Sequence, residues 1–377
     1  MSSLYRRLRT IFNTPKTTST ATIPPSTVNT KERKLQKLVQ RYKRSSESPE
    51  FRARHRFYST IVRRLSFAKQ FSMVEDFLEH QKNFADITNE QFTIRLISLY
   101  GKAGMLDHAH RLFDEMPDLK CTRTVRSFNA LLSACIDSGK FDKVQGFLRD
   151  FPVKLGITPD VVSFNIVIKG YCEIGNLDSG VLVLCEMEKR GIEPDLITFN
   201  TLLNGFYGNG RFVDGEKIWT LMESKNVVPN VRSYNSRLRG LELENRVMEA
   251  VELLGEMENK GIRPDVMSYN AVIKGLCNDE NVEEVKNWYR KLKENGRMPD
   301  RVTYMTLIPY LRQKGDLDGA VELCIEIMNK GLLVNATLFQ HVVDELVKLS
   351  RVEEAKDLVE RGKSNKHSYK LSLPLDK

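Results

Sequence analysis

At 377 residues the chain is long enough for two or three ordinary domains, and its six cysteines (121, 135, 172, 185, 277 and 324) include no Cys-x-x-Cys pair, which argues against a zinc site or disulfide frame and suits a reducing compartment. No apolar run approaches the roughly eighteen residues of a membrane span, so a soluble protein with no membrane partner is expected. The formal charge of +9 is uneven: residues 1–54 hold 13 Lys/Arg against 3 Asp/Glu and carry +10, while residues 55–377 come to −1, so a nucleic-acid argument cannot rest on overall charge.

In chain order, residues 1–31 contain no acid, carry Arg6, Arg7, Arg9, Lys16 and Lys31, and are rich in Ser and Thr. That composition predicts a transit peptide, with a disordered basic tail as the alternative. A helix there would gather Leu4, Leu8, Ile11 and Phe12 on one face, and the early arginines favour mitochondrion over plastid. Residues 32–54 set Arg33, Lys34, Lys37, Arg41, Lys43 and Arg44 around Leu35, Leu38 and Val39, which predicts a basic amphipathic helix ending at Ser45–Pro49. It is either an RNA-phosphate contact or a solvated cap over the chain from residue 55 onward.

From residue 55 a period emerges. The hinge Gly191-Ile192-Glu193-Pro194-Asp195-Leu196-Ile197-Thr198-Phe199-Asn200 has close copies at 156–165 and 261–270, and Asn165, Asn200, Asn235 and Asn270 stand 35 residues apart. Repeats are expected at 55–89, 90–124, 125–160 with one extra residue near Phe151-Pro152, then 161–195, 196–230, 231–265, 266–300 and 301–335, with 336–370 incomplete and 371–377 a tail. Each repeat should be two helices. The first buries a face such as Phe164, Val167, Ile168 and Tyr171; the second buries positions such as Ala250, Leu254 and Met257, or Ala320, Cys324 and Ile327. Glycine recurs inside the first helix (170, 205, 240, 275), where it disfavours helix by about 1 kcal/mol relative to Ala, so close helix approach is expected. Gly191, Gly261, Gly296, Gly331 and Asn226 should stop the second helix in a left-handed conformation, and Ser163, Thr198, Ser233, Ser268 and Thr303 are placed to cap the next first helix.

These residues resemble pentatricopeptide repeats of the plain class built only from 35-residue units, plant organellar type, over roughly 55–370; the 34-residue tetratricopeptide pattern is not present. The resemblance implies an all-α, right-handed superhelical α-solenoid of helix-turn-helix repeats that binds single-stranded RNA, mRNA or rRNA. It also implies that each base is read by the fifth residue of the first helix together with the last residue of the repeat. Carried over, the reading pairs are Asn129 with Asp160, Asn165 with Asp195, Asn200 with Asn230, Asn235 with Asp265, and Asn270 with Asp300, giving U, U, C or U, U, U. Ser59 with Asn89 is a purine-type pair, whereas Ile94 with Thr124 has no code meaning and Met305 with Asn335 is irregular. The bland alternative is that these asparagines are first-turn polar residues copied by duplication. The family's second-position wedge against the bases falls on Val162, Ile197 and Met267, and on Arg232, which can stack on a base; Arg126 departs in the same way. The family's phosphate-facing lysine at the thirteenth position is matched only by Lys102, the others being Asp137, Glu173, Gly208, Leu243, Asn278 and Gln313, so weak RNA binding is expected.

No catalytic set, phosphate-cradling loop or deaminase motif is present, His108 and His110 diverge on a helix, and no enzyme activity, metal or cofactor is expected. Three functions compete: a mitochondrial RNA-binding protein of RNA metabolism or translation that holds a pyrimidine-rich strand; a structural subunit of the mitochondrial ribosome, with its small subunit as partner; and, behind both, a purely protein-binding solenoid.

Overall fold

The computed structural model describes residues 25–278 and 281–374. The expected presequence lies outside the described residues up to 24; its last residues already belong to a helix, Pro25–Ser45, which begins before the predicted start at 32. All regular structure among the described residues is helical, and none of the helices is long and apolar enough to cross a membrane. The chain divides after Gly205 into two compact parts.

In the first part, the basic helix Pro25–Ser45 docks by Val39 (2% exposed), by an edge contact of Tyr42 on Phe77 at 6.2 Å, and by the Lys43–Asp76 ion pair at 2.6 Å. Ser48 caps the short helix Pro49–Ala53, whose proline occupies a first-turn position where no intrahelical N–H is needed. Arg52 then reaches Asp86 at 2.5 Å and lies 4.5 Å over the Phe84 ring. The segment therefore covers the start of the array with one face and leaves Arg33, Lys34, Lys37, Arg41 and Arg44 exposed on the other. Helix pairs come next: His55–Phe67 with Phe71–His80, Glu90–Lys102 with Leu106–Glu115, Val125–Asp137 with Phe141–Leu155, and Val161–Glu173 with Leu177–Lys189. The extra residue of the third repeat is absorbed by its second helix, which runs 15 residues and lays Phe151 against Phe113 and Phe128. In the second part the pairs are Val231–Leu243 with Val247–Asn259, Val266–Leu276 with Val282–Glu294, Arg301–Gln313 with Leu317–Lys330, and Ala336–Lys348 with Val352–Ser364. The helix Leu196–Gly208 crosses the division and is followed by Phe212–Ser224.

The links that leave Lys189, Ser224, Asn259 and Glu294 for the next first helix use one device. Gly191, Gly261, Gly296 and Asn226 take φ of +72°, +74°, +69° and +57°, so the chain turns where a Cβ would resist and the following proline blocks continuation. The residue just before the fifth position of these repeats is a fully buried aromatic: Phe128, Phe164, Phe199 and Tyr304 are 0% exposed, Tyr234 1% and Tyr269 2%. Burying one such ring contributes on the order of 2–3 kcal/mol and fixes the rotation of the helix that carries the next residue.

The glycines inside the first helices mark close approach between successive repeats. A Cβ on Gly170 would come within 2.7 Å of Ile136, one on Gly205 within 2.9 Å of Cys172, and one on Gly240 within 2.6 Å of Tyr207. Tenth position of one repeat faces twelfth position of the repeat before it. Where the tenth position is Ala134, the glycine has moved to the facing partner, Gly101, whose Cβ would lie 2.4 Å from the Ala134 Cα.

Candidate nucleic-acid interface

At Asp160, Asp195, Asp265 and Asp300 the next first helix begins at a junction where three polar residues meet. The last residue of a repeat is the N-cap of the next helix: Asp160, Asp265 and Asp300 each accept the third-position backbone N–H, from Ser163 at 2.9 Å, Ser268 at 3.1 Å and Thr303 at 3.0 Å, and Asp195 does the same for Thr198 at 2.8 Å. The Ser or Thr hydroxyl takes the Asp backbone N–H in return at 3.1 Å in all four, completing a reciprocal capping box. This corrects the expectation that Ser163, Thr198, Ser268 and Thr303 are themselves the caps. The cap is the carboxylate, because each helix starts at the residue after it and so places the Ser or Thr at the third helical position, where its hydroxyl turns toward the previous repeat.

There the hydroxyl donates to the carboxamide oxygen of the fifth residue: Ser163 to Asn129 at 2.5 Å, Thr198 to Asn165 at 2.6 Å, Ser268 to Asn235 at 2.6 Å and Thr303 to Asn270 at 2.8 Å. The amide nitrogen of the same Asn donates to the capping carboxylate, Asn129 to Asp160 at 3.1 Å, Asn165 to Asp195 at 3.1 Å, Asn235 to Asp265 at 3.0 Å and Asn270 to Asp300 at 3.1 Å. Four predicted pairs are thus in direct contact. The pairing also settles the orientation of each carboxamide, since a flip would set its oxygen against a carboxylate oxygen with no donor between them. The hydroxyls are 0% exposed, and Asn129, Asn165 and Asn270 are 8% exposed, so each amide is held in a packed wall with little more than its edge showing. Among the described hydrogen bonds, each of these four amides keeps one N–H and one lone pair. A locked donor beside an acceptor matches a pyrimidine's Watson–Crick edge.

Burial of Asp195 works to raise its pKa, but the bonds from Thr198 and Asn165 outweigh it and the carboxyl sits below its ordinary value. The fifth predicted pair, Asn200 with Asn230, straddles the division of the chain and is described by its ends. Asn200 is half-buried on Leu196–Gly208, and Asn230 caps Val231–Leu243 through the N–H groups of Arg232 at 3.0 Å and Ser233 at 3.2 Å.

The second position of each repeat holds its side chain out: Val162 is 49% exposed, Ile197 62%, Met267 65% and Val302 53%, and Arg232 and Arg126 are exposed as well. Exposed aliphatics at a fixed place in each repeat, next to a buried polar edge, suit stacking rather than core packing. Arg126 donates to Gln91, the second-position residue of the preceding repeat, at 2.6 Å.

Two of the irregular pairs come out differently. Ser59 turns back onto His55 in its own helix, while Asn89 caps Glu90–Lys102, so no hydrogen bond joins them. At the Thr124 junction the carboxylate comes from Glu90, the first residue of the preceding repeat, which accepts from Thr124 N at 3.0 Å, Thr124 Oγ1 at 2.7 Å and Ser127 N at 3.3 Å. Neither Glu90 nor the cross-repeat role of the hydroxyls was recognised in the sequence; the 35-residue recurrence of Ser or Thr was the available signal for the latter. The thirteenth positions are mostly exposed but acidic or neutral, and two cations one turn away are already engaged, Lys169 with Glu173 at 3.7 Å and Lys274 with Glu242 at 2.6 Å. His108 faces Glu75 at 3.1 Å and His110 faces Asp114 at 3.5 Å.

Known proteins match this architecture. A family profile described as PPR repeat family matches residues 159–208, 194–242, 238–278 and 264–311, and one described as PPR repeat matches 95–121 and 126–152. A pentatricopeptide repeat-containing protein of Arabidopsis thaliana is 50% identical over 150 residues, 40% of this chain and 27% of that protein. The Arabidopsis thaliana small ribosomal subunit protein mS78 is 43% identical over 210 residues, 50% of this chain and 52% of that protein. The chain therefore spans about a quarter to a half of the length of these relatives. The crystal structure of the maize pentatricopeptide repeat protein PPR10 aligns with a TM-score of 0.52 at 22% identity, over 91% of this chain and 49% of that one, a likeness of fold.

Proposed function

The chain belongs to the pentatricopeptide repeat family, and from that premise we propose that it is a plain-class member that binds single-stranded RNA in the mitochondrion and takes part in RNA metabolism or translation. The observation that carries this is the fourfold recurrence of one locked Asn–Asp pair, at 3.0–3.1 Å, beside an exposed second-position side chain. Asn129/Asp160, Asn165/Asp195, Asn235/Asp265 and Asn270/Asp300 each present one donor and one acceptor to a uracil, and the family resemblance assigns Asn200 with Asn230 a cytosine or uracil. Val162, Ile197, Arg232 and Met267 stack against the bases. The chemistry asked of these residues is binding and positioning, with no bond made or broken. Mitochondrial targeting rests on the acid-free, arginine-bearing composition of residues 1–31.

Fluorescence anisotropy with U-rich and A-rich oligomers at fixed salt tests the proposal: the U-rich strand binds more tightly, and equal affinity for both refutes base reading. A second reading, a structural component of the small subunit of the mitochondrial ribosome, is favoured by the likeness to mS78 and by the shortage of phosphate-facing cations. Co-sedimentation of the tagged protein with the small subunit in a mitochondrial lysate supports it, and migration as a free or small complex rules it out.

A further inference from the structure

The last helix pair carries a fifth-position residue that the reading pairs leave out. Gln340 on Ala336–Lys348 follows Phe339, which is 0% exposed, so it repeats the deep aromatic and adjacent carboxamide of Phe164-Asn165. No further helix pair succeeds it among the described residues. Instead, residues 365–374 fold back over the final pair: Asn365 donates to Met328 O at 2.9 Å, Tyr369 N to Gly362 O at 2.9 Å and Tyr369 OH to Leu332 O at 2.9 Å. Tyr369 and Leu371 are 5% and 4% exposed, and the Tyr369 ring meets Phe339 edge-on at 4.7 Å. The path up to Leu371 is thereby fixed by its own burial.

The next residue closes a ring of two hydrogen bonds on Gln340. Ser372 N donates to Gln340 Oε1 at 3.0 Å, and Gln340 Nε2 donates to Ser372 O at 2.7 Å; the second amide N–H goes to Asp344 Oδ1 at 2.8 Å. A peptide N–H and C=O side by side against a carboxamide reproduce the donor-acceptor pairing by which a carboxamide holds the edge of a base. Asn129, Asn165, Asn235 and Asn270 differ in this respect, since one N–H of each takes part in no described hydrogen bond.

We propose that Gln340 is a further base-binding position, held closed by the chain's own backbone at Ser372, so that the RNA footprint stops short of the last helix pair and lengthens when the tail is released. The inference rests on the RNA-binding reading above. Release need not disturb the core: Ser372 and Pro374 are exposed, and the buried anchors Tyr369 and Leu371 lie before the point of opening.

The test compares the full chain with one ending after Leu371, against oligouridylates lengthened one nucleotide at a time at either end. Affinity of the full chain levels off at some length; the shortened chain gains about tenfold from one further nucleotide, the scale of a single base contact. Adding Gln340→Ala to the shortened chain abolishes that gain, while Gln340→Ala in the full chain changes nothing. If the shortened chain unfolds, the full-length Ser372→Pro variant, which lacks the donating N–H, takes its place. Equal plateaus for the two chains, with the full chain binding well, overturn this inference alone, as does weakened binding by Gln340→Ala in the full chain. No binding of any oligomer by either chain overturns the RNA reading and this inference together.

Discussion

Two substitutions at Asp195 separate a capping role from a reading role. Its Oδ1 accepts from Thr198 N at 2.8 Å, Thr198 Oγ1 at 2.9 Å and Asn165 Nδ2 at 3.1 Å. Asp195→Ala removes all three at once: loss of the N-cap costs about 1 kcal/mol, and the Asn165 amide, 8% exposed, loses its acceptor for about 1 kcal/mol more, so a total near 2 kcal/mol is expected. Asp195→Asn keeps an oxygen at the same place, and Asn caps as well as Asp, so stability should change by no more than about 0.5 kcal/mol. What it changes is the other atom, where an acceptor becomes an N–H₂ donor beside the Asn165 edge. Urea unfolding reads the first quantity, and anisotropy with strands differing only in U or C at one position reads the second. On the proposed reading, Asp195→Asn leaves the unfolding midpoint nearly in place and shifts the U-to-C preference by about fivefold, roughly 1 kcal/mol. An unchanged preference in a variant with unchanged stability would refute the argument, because the last residue of the repeat would then be a cap and nothing more.

Three other outcomes are expected from the geometry. Gly101→Ala drives a Cβ into the Ala134 backbone at 2.4 Å and should destabilise by about 2 kcal/mol or more, and Ala134→Gly in the same chain should recover part of it; a neutral Gly101→Ala in thermal unfolding would contradict the close approach. Burial works to raise the Glu90 pKa, but the hydrogen bonds from Thr124 and Ser127 outweigh it and leave it lowered, so its contribution is fully present above the unfolded value near 4.3 and is lost as pH falls through the folded one. Glu90→Gln should accordingly cost about 1 kcal/mol at pH 7, with the gap to wild type closing below about pH 4 in urea titrations. Burial pushes the Cys135 thiol up to about 11 and Cys172 and Cys277 up to about 12, while Cys185 is exposed, so iodoacetamide at pH 8 should modify Cys185 first by peptide mapping; equal rates at Cys135 would be inconsistent with its packing.

The sequence displayed the features that recur and hid those that compensate. Gly170, Gly205 and Gly240 stood out by period, and each meets the twelfth position of the preceding repeat. Gly101 escaped notice because it lies out of register with them, although it solves the same steric problem from the opposite helix, with Ala134 in the usual glycine's place. Glu90 was hidden for a related reason. A carboxylate was expected at the last position of the repeat, and at the Thr124 junction it arrives from the first position, 34 residues earlier, which only a folded chain brings within 2.7 Å. Ser163 and its counterparts were legible as residues of the first turn, but spacing along one chain cannot tell a cap from the third-position partner of a cap. Choosing between them needs the direction of the hydroxyl, and that direction is set by Asn129 in the preceding repeat. The Ser59 and Asn89 pair failed as a contact because Ser59 found an acceptor on its own helix at His55, a local competition to which Ser is prone.

The ladder and its surroundings divide the proposed binding between two sources. Four carboxamides already locked by neighbours lose little freedom on meeting a base, which favours discrimination over what flexible side chains would give. Grip on the phosphates is another matter. Lys274 is held by Glu242 and Lys169 by Glu173, so a phosphate must compete with a carboxylate for each, and the exchange releases less free energy than binding to an unpaired cation. A cluster of exposed cations lies elsewhere, at Arg33, Lys34, Lys37, Arg41 and Arg44 on the outer face of the N-terminal helix. An array that reads but holds weakly works best when the strand is kept near it by something else, either that basic helix or a larger particle in which the RNA is already fixed. Both readings of the function therefore ask the same thing of the repeats, and they differ in where the phosphate-binding energy is found. Removing the charges of Arg33, Lys37 and Arg41 together should flatten the salt dependence of oligomer binding by the free protein and leave its U preference intact, whereas retention in a ribosomal particle would survive the change if RNA already held there supplies the grip.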